Sequence, residues 1–503
     1  MLYHTCSWQH KRRTSDYHFN NVIKDINFDR FFSYTKGMTN ILDFDYYFYD
    51  YSNRTQALEN IIANIPTWLS FVRIVLVILL RAGYVLIHIG SVPVNNINLI
   101  LLQNIIDICW ITMVYSLLGI VIAYTGDLHG VIGAGHWIGD HDVDKDELIT
   151  GWSAVVITSA ICTSGIVGRT HTVGYIIIGF LLAGVVQPFL IHWIWTPHGW
   201  MRRNVLHNEH VHFHDYTGSV VIHVVGGLTG LIGCLTLGRR ILRLDAIDEA
   251  SIAVGASGNV FAGYLLVFIG LQSLSLTNIQ LEHFEMKIKR KHNVFVNNIL
   301  AASACSLFVV IFHFAYPQEE FNHWTVMRCV QAMIAGIVVI SAGADAYPPL
   351  AAIILGAIGS IIFYIVSRYV FRSALEDYCN IVATHLVCGI LGSFLVPFFY
   401  VQEDDDVKLV LLNFGWQMIC LIVVIAVVTV IMYIAFIILQ FAGLLRNRSE
   451  YLNHLRANVA EGRNQRKNLL DRLFHMDRDA VYLQPGMSFG EPLGLRRTQE
   501  REE

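Results

Sequence analysis

The chain has 503 residues, of which 54% are hydrophobic and only 15% charged, and its formal net charge is −4. Water-facing domains carry about 25% charged residues, so this composition argues against an ordinary soluble protein. No concentrated basic stripe of the kind nucleic-acid binding requires is present. The nine cysteines are scattered without CxxC or metal-type spacing, which argues against a disulfide framework or a zinc site. No nucleophile–base pairing or cofactor loop stands out, so an enzyme and a bound cofactor are not expected.

Residues 1–66 are polar and aromatic, as in DFDYYFYDY, with no cleavable signal-peptide pattern. They are expected outside the cell, where Asn53-Arg54-Thr55 would be a usable glycosylation sequon. Apolar runs of about 20 residues then recur, the length a helix needs to cross a hydrocarbon core. They fall at 67–89, 98–124, 151–168, 173–195, 216–237, 256–277, 297–316, 328–343, 349–371, 380–400 and 410–444. The expected fold is therefore all-α: a polytopic membrane protein of about eleven transmembrane helices over 67–445, with a charged cytosolic tail over 446–503. Eleven spans put the two ends on opposite sides of the membrane. The basic tail and the Arg239, Arg240, Arg243 loop then share the cytosolic side, as the positive-inside rule prefers. The KIKRKH loop at 287–292 runs against that rule.

An internal repeat organises the apolar part. Asp215 precedes His223 by eight, followed by Gly227 and Gly230; Asp377 precedes His385 by eight, followed by Gly389 and Gly392. The shared pattern is D-x7-H-x3-G-x2-G, on spans five and ten. An odd separation makes these helices antiparallel, the layout of a 5+5 inverted repeat with its site near the middle of the membrane. At about 1.5 Å rise per residue, a helix running through the motif carries each histidine about 12 Å deeper than its aspartate. The glycines let the helices cross closely. An imidazole donates from one nitrogen and accepts at the other, which suits the passage of a proton or a small hydrogen-bonding solute. The competing reading is a pair of core histidines that only hold two helices together. A matched pair entering from opposite faces favours conduction.

These segments resemble the ammonium transporter (Amt/Rh) family, nearer its Amt branch. The resemblance rests on HWIWTPHGW (192–200), DYTGSVVIHVVGG (215–227), GSVPVNNINLILLQNIID (90–107), AGIVVISAGADAYPPLAAIILG (335–356), LEDYCNIVATHLVCG (375–389) and GLLR (443–446). It implies a homotrimer in the cell membrane, with lipid around it and a separate pore in each subunit. In each pore, His223 and His385 would line a narrow apolar passage for ammonium or ammonia. By the same resemblance Asp215 is the structural and recruiting aspartate, Trp195 the vestibule tryptophan, and Thr277 stands near the vestibule serine.

The chain also departs from the family. Where the family stacks two gate phenylalanines, the alignment places Val155 and, near VFIGLQSLSL, Ser273. Its AERT segment is VGRT here (167–170). Arg81 falls mid-span where the family has glutamine, His88 replaces a glutamate, and Asp107 on span two is the nearest candidate partner for the arginine. The departures motivate an alternative: an Amt-like sensor that no longer transports and acts through its tail.

Overall fold

In the computed structural model of the protein, the described residues are 41–91, 97–133, 135, 145–238, 256–276, 294–315, 323–373, 375–400 and 406–447. The chain divides into two compact units, Met1–Trp68 and Leu69–Glu503. The described part of the first is helical from Ile41 onward.

The second unit is a bundle of apolar helices. They are α1 (Thr67–Ser91), α2 (Ile97–Ala123), α3 (Asp146–Ile166), α4 (Thr172–Trp195), α5 (Ser219–Leu237), α6 (Ser257–Ser275), α7 (Val294–Ala315), α8 (Trp324–Ile340), α9 (Pro349–Phe371), α10 (Val382–Phe399) and α11 (Val407–Phe441). Ten of these are long and apolar enough to cross a membrane, and α8 is a shorter apolar helix between them. The eleven expected spans are therefore all helices. Lipid offers no partner for a backbone N–H or C=O, and a helix satisfies each internally. α5 and α3 are mostly buried inside the bundle, whereas α1, α2 and α11 expose most of their apolar surface. The described non-helical part is small; it includes one hairpin, β1 (Arg203–Leu206) and β2 (Glu209–His212), pairing Arg203 with His212 and Leu206 with Glu209.

Close glycine contacts reveal the repeat. A Cβ on Gly227 of α5 would stand 2.7 Å from the Leu386 amide nitrogen on α10, and one on Gly389 of α10 would stand 3.0 Å from the Val224 side chain on α5. Leu386 and Val224 each directly follow a motif histidine, so the two contacts are the same contact made in both directions. α1 and α6, the first helices of the two halves, cross in the same reciprocal way. A Cβ on Gly83 would lie 2.5 Å from the Gly263 carbonyl, and one on Gly263 would lie 2.6 Å from the Gly83 carbonyl. Small residues are what allow helix backbones to approach in this manner.

Polar ties hold the remaining helices. Arg81 of α1 pairs with Asp107 of α2, and the same carboxylate accepts from Ser159 Oγ of α3 at 2.9 and 2.8 Å. The mid-span arginine is thus neutralised within the helix packing. Arg169, in the VGRT turn after α3, donates to the carbonyls of Gly238 (2.6 Å) and Gly165 (2.9 Å). The start of the tail is fixed to that turn: Asn447 N donates to the Arg169 carbonyl at 2.8 Å and His171 N to the Leu445 carbonyl at 2.9 Å.

Gly227→Ala forces α5 and α10 apart, since the new methyl meets backbone rather than a movable side chain. Overpacking of this kind costs about 1–3 kcal/mol, so the purified variant melts several degrees lower in a thermal-shift assay. Gly258→Ala, where a Cβ meets nothing within 4 Å, leaves the melting temperature unchanged or raises it.

Candidate functional site

The two motifs fold alike. Three residues after each aspartate the backbone turns left-handed, at Gly218 (φ 87°) and Asn380 (φ 55°). Glycine takes this conformation freely and asparagine is among the few other residues that tolerate it. A π-helical turn follows, Ser219–Val224 in one half and Val382–Val387 in the other, with a histidine in each. The aspartates cap these turns, satisfying amides that have no partner inside the helix. Asp215 accepts from Val220 N at 3.0 Å and Val221 N at 2.9 Å, and Asp377 accepts from Val382 N at 2.9 Å. The helix therefore begins after the left-handed residue rather than at the aspartate. A single helix through the whole motif is therefore not formed; each aspartate instead accepts from the amides ahead of it.

The histidines meet. His223 Nδ1 and His385 Nδ1 are 3.2 Å apart, their ring centroids lie 5.1 Å apart, and the planes are inclined by 19°. Both side chains are buried. Tyr84 of α1 places its hydroxyl 3.2 Å from His385 Nε2. At the other end, His223 Nε2 is buried without a hydrogen-bond partner. The result is a line from a tyrosine through two imidazoles to one open ring nitrogen, with an acceptor or donor at every station.

A cavity of about 510 Å³ opens at the Asp215 end. Trp195 and Asp215 are both on its wall, as are His214, Leu274, Asp345 and Tyr400. Trp195 is held there by its indole N–H, which donates to the Asp215 carbonyl at 2.9 Å. His214 Nε2 lies 3.2 Å from Asp345 Oδ1, and its ring stacks on Tyr400 with centroids 4.1 Å apart. Burial pushes the Asp215 carboxyl up to about 6, against the Val221 and Val220 amides that pull it down.

Val155 and Ser273, at or near the sequence positions expected for the family's gate phenylalanines, are both buried, and Ser273 Oγ has no hydrogen-bond partner among the described residues. The neighbouring Leu274 lines the cavity, so its wall there is aliphatic. Thr277 lies outside the described residues. Of the sequence-derived site residues, the structure brings Trp195 and Asp215 to one cavity and joins His223 to His385. Sequence reasoning missed Tyr84, His214 and Asp345. For Tyr84 the available signal was a hydroxyl in an apolar span one turn from Arg81 and His88. For Asp345 it was a lone carboxylate between two small residues, in GADAY.

Comparison with known proteins identifies the family and the fold. The profile of the Ammonium Transporter Family matches residues 67–461. Ammonium transporter 1 member 3 of Solanum lycopersicum is 26% identical over 408 residues, covering 75% of this chain and 87% of that protein. Ammonium transporter 1 member 1 of Oryza sativa is 28% identical over 336 residues, covering 62% of this chain and 66% of the rice protein. Among solved structures, one described as a Sensor Amt Protein superposes with a TM-score of 0.65 at 20% identity, covering 78% of this chain and 97% of its own. Saccharomyces cerevisiae Mep2 superposes at 0.62 and 16% identity, covering 76% and 87%. These two likenesses establish the fold. With the family profile spanning most of its length, the chain belongs to the ammonium transporter family.

Proposed function

We propose that this chain moves ammonium or ammonia across the membrane along a path set by His223 and His385. The observation that carries the reading is the Nδ1–Nδ1 contact between two buried histidines on antiparallel helices. Polar residues buried inside an apolar membrane bundle commonly mark a solute or proton pathway. Asp215 and Trp195 line the cavity at one end and act there as the receiving site. A carboxylate attracts the cation, and a tryptophan face adds about 0.5–2 kcal/mol of cation–π attraction. In this reading the cavity faces outward. Residues 1–66 are extracellular, the tail from 446 is cytosolic, and the protein is a homotrimer in the cell membrane.

A second reading, an Amt-like sensor without transport, draws support from the aliphatic and hydroxyl residues Val155 and Ser273 at the gate positions. Arg81 no longer favours it, because its charge is matched by Asp107. The two readings separate in an oocyte or yeast uptake assay with labelled methylammonium. Transport predicts uptake above an empty-vector control, lost when His223→Ala is combined with His385→Ala. A surface-expressed wild type with no uptake above control favours the sensor, and normal uptake by the double variant contradicts the path.

The receiving site also predicts a pH dependence. Asp215 carries its charge above about 6 and loses it as the outside pH falls through that value. Methylammonium itself stays a cation throughout this range. Uptake at fixed total methylammonium therefore falls several-fold as the outside pH is lowered from about 7.5 to about 5, as the attracting charge is neutralised. The stability consequence has the opposite sense. The folded state holds a proton that the unfolded chain releases between 3.8 and about 6, so stability declines as pH rises through that window.

A further inference from the structure

Two imidazoles joined through their Nδ1 atoms have two neutral arrangements. In the first, His385 Nδ1–H donates to His223 Nδ1; His385 Nε2 is then a bare acceptor and His223 Nε2 carries a hydrogen. In the second, every donor and acceptor is reversed. The pair alone does not choose between them.

Tyr84 does. Its hydroxyl lies 3.2 Å from His385 Nε2 and has no other hydrogen-bond partner among the described residues. Tyr84 is 2% exposed, away from bulk solvent. In the first arrangement the phenol O–H donates to the bare Nε2 and all inner groups are matched. In the second, His385 Nε2–H donates to the phenol oxygen and the phenol hydrogen is left buried without an acceptor, which is costly. The first arrangement is therefore favoured, and it leaves His223 Nε2–H as the free end of the line. That nitrogen is the one buried without a partner.

We propose that Tyr84 is a positioning residue that fixes the tautomers of the histidine pair and so turns His223 Nε2 into a hydrogen-bond donor facing the path. A free donor accepts a solute with a lone pair, such as ammonia or a primary amine in its neutral form. It offers nothing to ammonium or potassium, which have no lone pair to give. Tyr84 thereby sets a preference for the neutral solute at the histidine pair, from a helix that carries neither histidine. The inference rests on the transport path proposed above and adds to it a determinant of selectivity.

Tyr84→Phe removes one oxygen and keeps the ring. The first readout is the 15N spectrum of histidine-labelled protein in nanodiscs, with the two residues assigned from His223→Gln and His385→Gln samples. Wild type shows His385 protonated at Nδ1 and His223 at Nε2. Tyr84→Phe shifts that tautomer ratio by about fivefold, the size expected for one net hydrogen bond. The second readout is charge moved per labelled methylammonium taken up in oocytes. It rises in Tyr84→Phe as the second arrangement gains and His223 Nε2 becomes an acceptor for N–H cations. With 3-fluorotyrosine at position 84, a stronger donor of nearly the same shape, it falls. Unchanged tautomers in Tyr84→Phe, or both substitutions moving the charge ratio the same way, would overturn the role of Tyr84. Normal uptake by the His223→Ala, His385→Ala double variant would instead overturn the path itself, so the two failures are distinguishable.

Discussion

The structure depends on one contact: two imidazoles hydrogen-bonded inside an apolar helix bundle. Bringing Nδ1 to within 3.2 Å of Nδ1 requires helices α5 and α10 to touch at their backbones. That is possible only because Gly227 faces Leu386 and Gly389 faces Val224. The π-helical turns and aspartate caps follow from the same need. They give each histidine a start of helix whose first amides are satisfied by the aspartates. The reciprocal crossing of α1 and α6 at Gly83 and Gly263 brings Tyr84 alongside, one residue from the glycine that permits the approach.

Other buried charges in the bundle are consumed locally. Arg81 is matched by Asp107, which Ser159 also satisfies. Arg73 donates to Thr150 Oγ1 at 2.9 Å and to the Leu276 carbonyl, tying α1 to α3 and to the end of α6. Arg169 is spent on helix-terminal carbonyls. An unpaired charge in hydrocarbon costs several kcal/mol, and these pairings reduce that cost. Among the four ring nitrogens of the histidine pair, His223 Nε2 is the one without a hydrogen-bond partner.

Much of this was legible in the sequence, and the reasons are physical. Helix number follows from apolar run length, which the membrane thickness fixes. The D-x7-H-x3-G-x2-G repeat is written twice because two antiparallel helices make the same contact. Asp107 was identifiable as the partner of Arg81 because a mid-span charge requires one and few candidates exist. The helix start was placed too early in both motifs, because the left-handed backbone at Gly218 and Asn380 delays it. The Tyr84 contact, 301 residues from His385 in sequence, is set by how α1 packs, so local pattern marks the hydroxyl as unusual without naming its partner. His214 and Asp345 escaped notice for the same reason: they join across 131 residues where a turn meets a helix terminus.

The most direct measurement is a double-mutant cycle on methylammonium uptake, using His223→Gln, His385→Gln and the two together. If the histidines act as one hydrogen-bonded unit, breaking either end disables the line. The double variant then loses no more uptake than the more damaged single variant, a strong departure from additivity. Losses that simply multiply would contradict a shared line and return the histidines to separate packing roles.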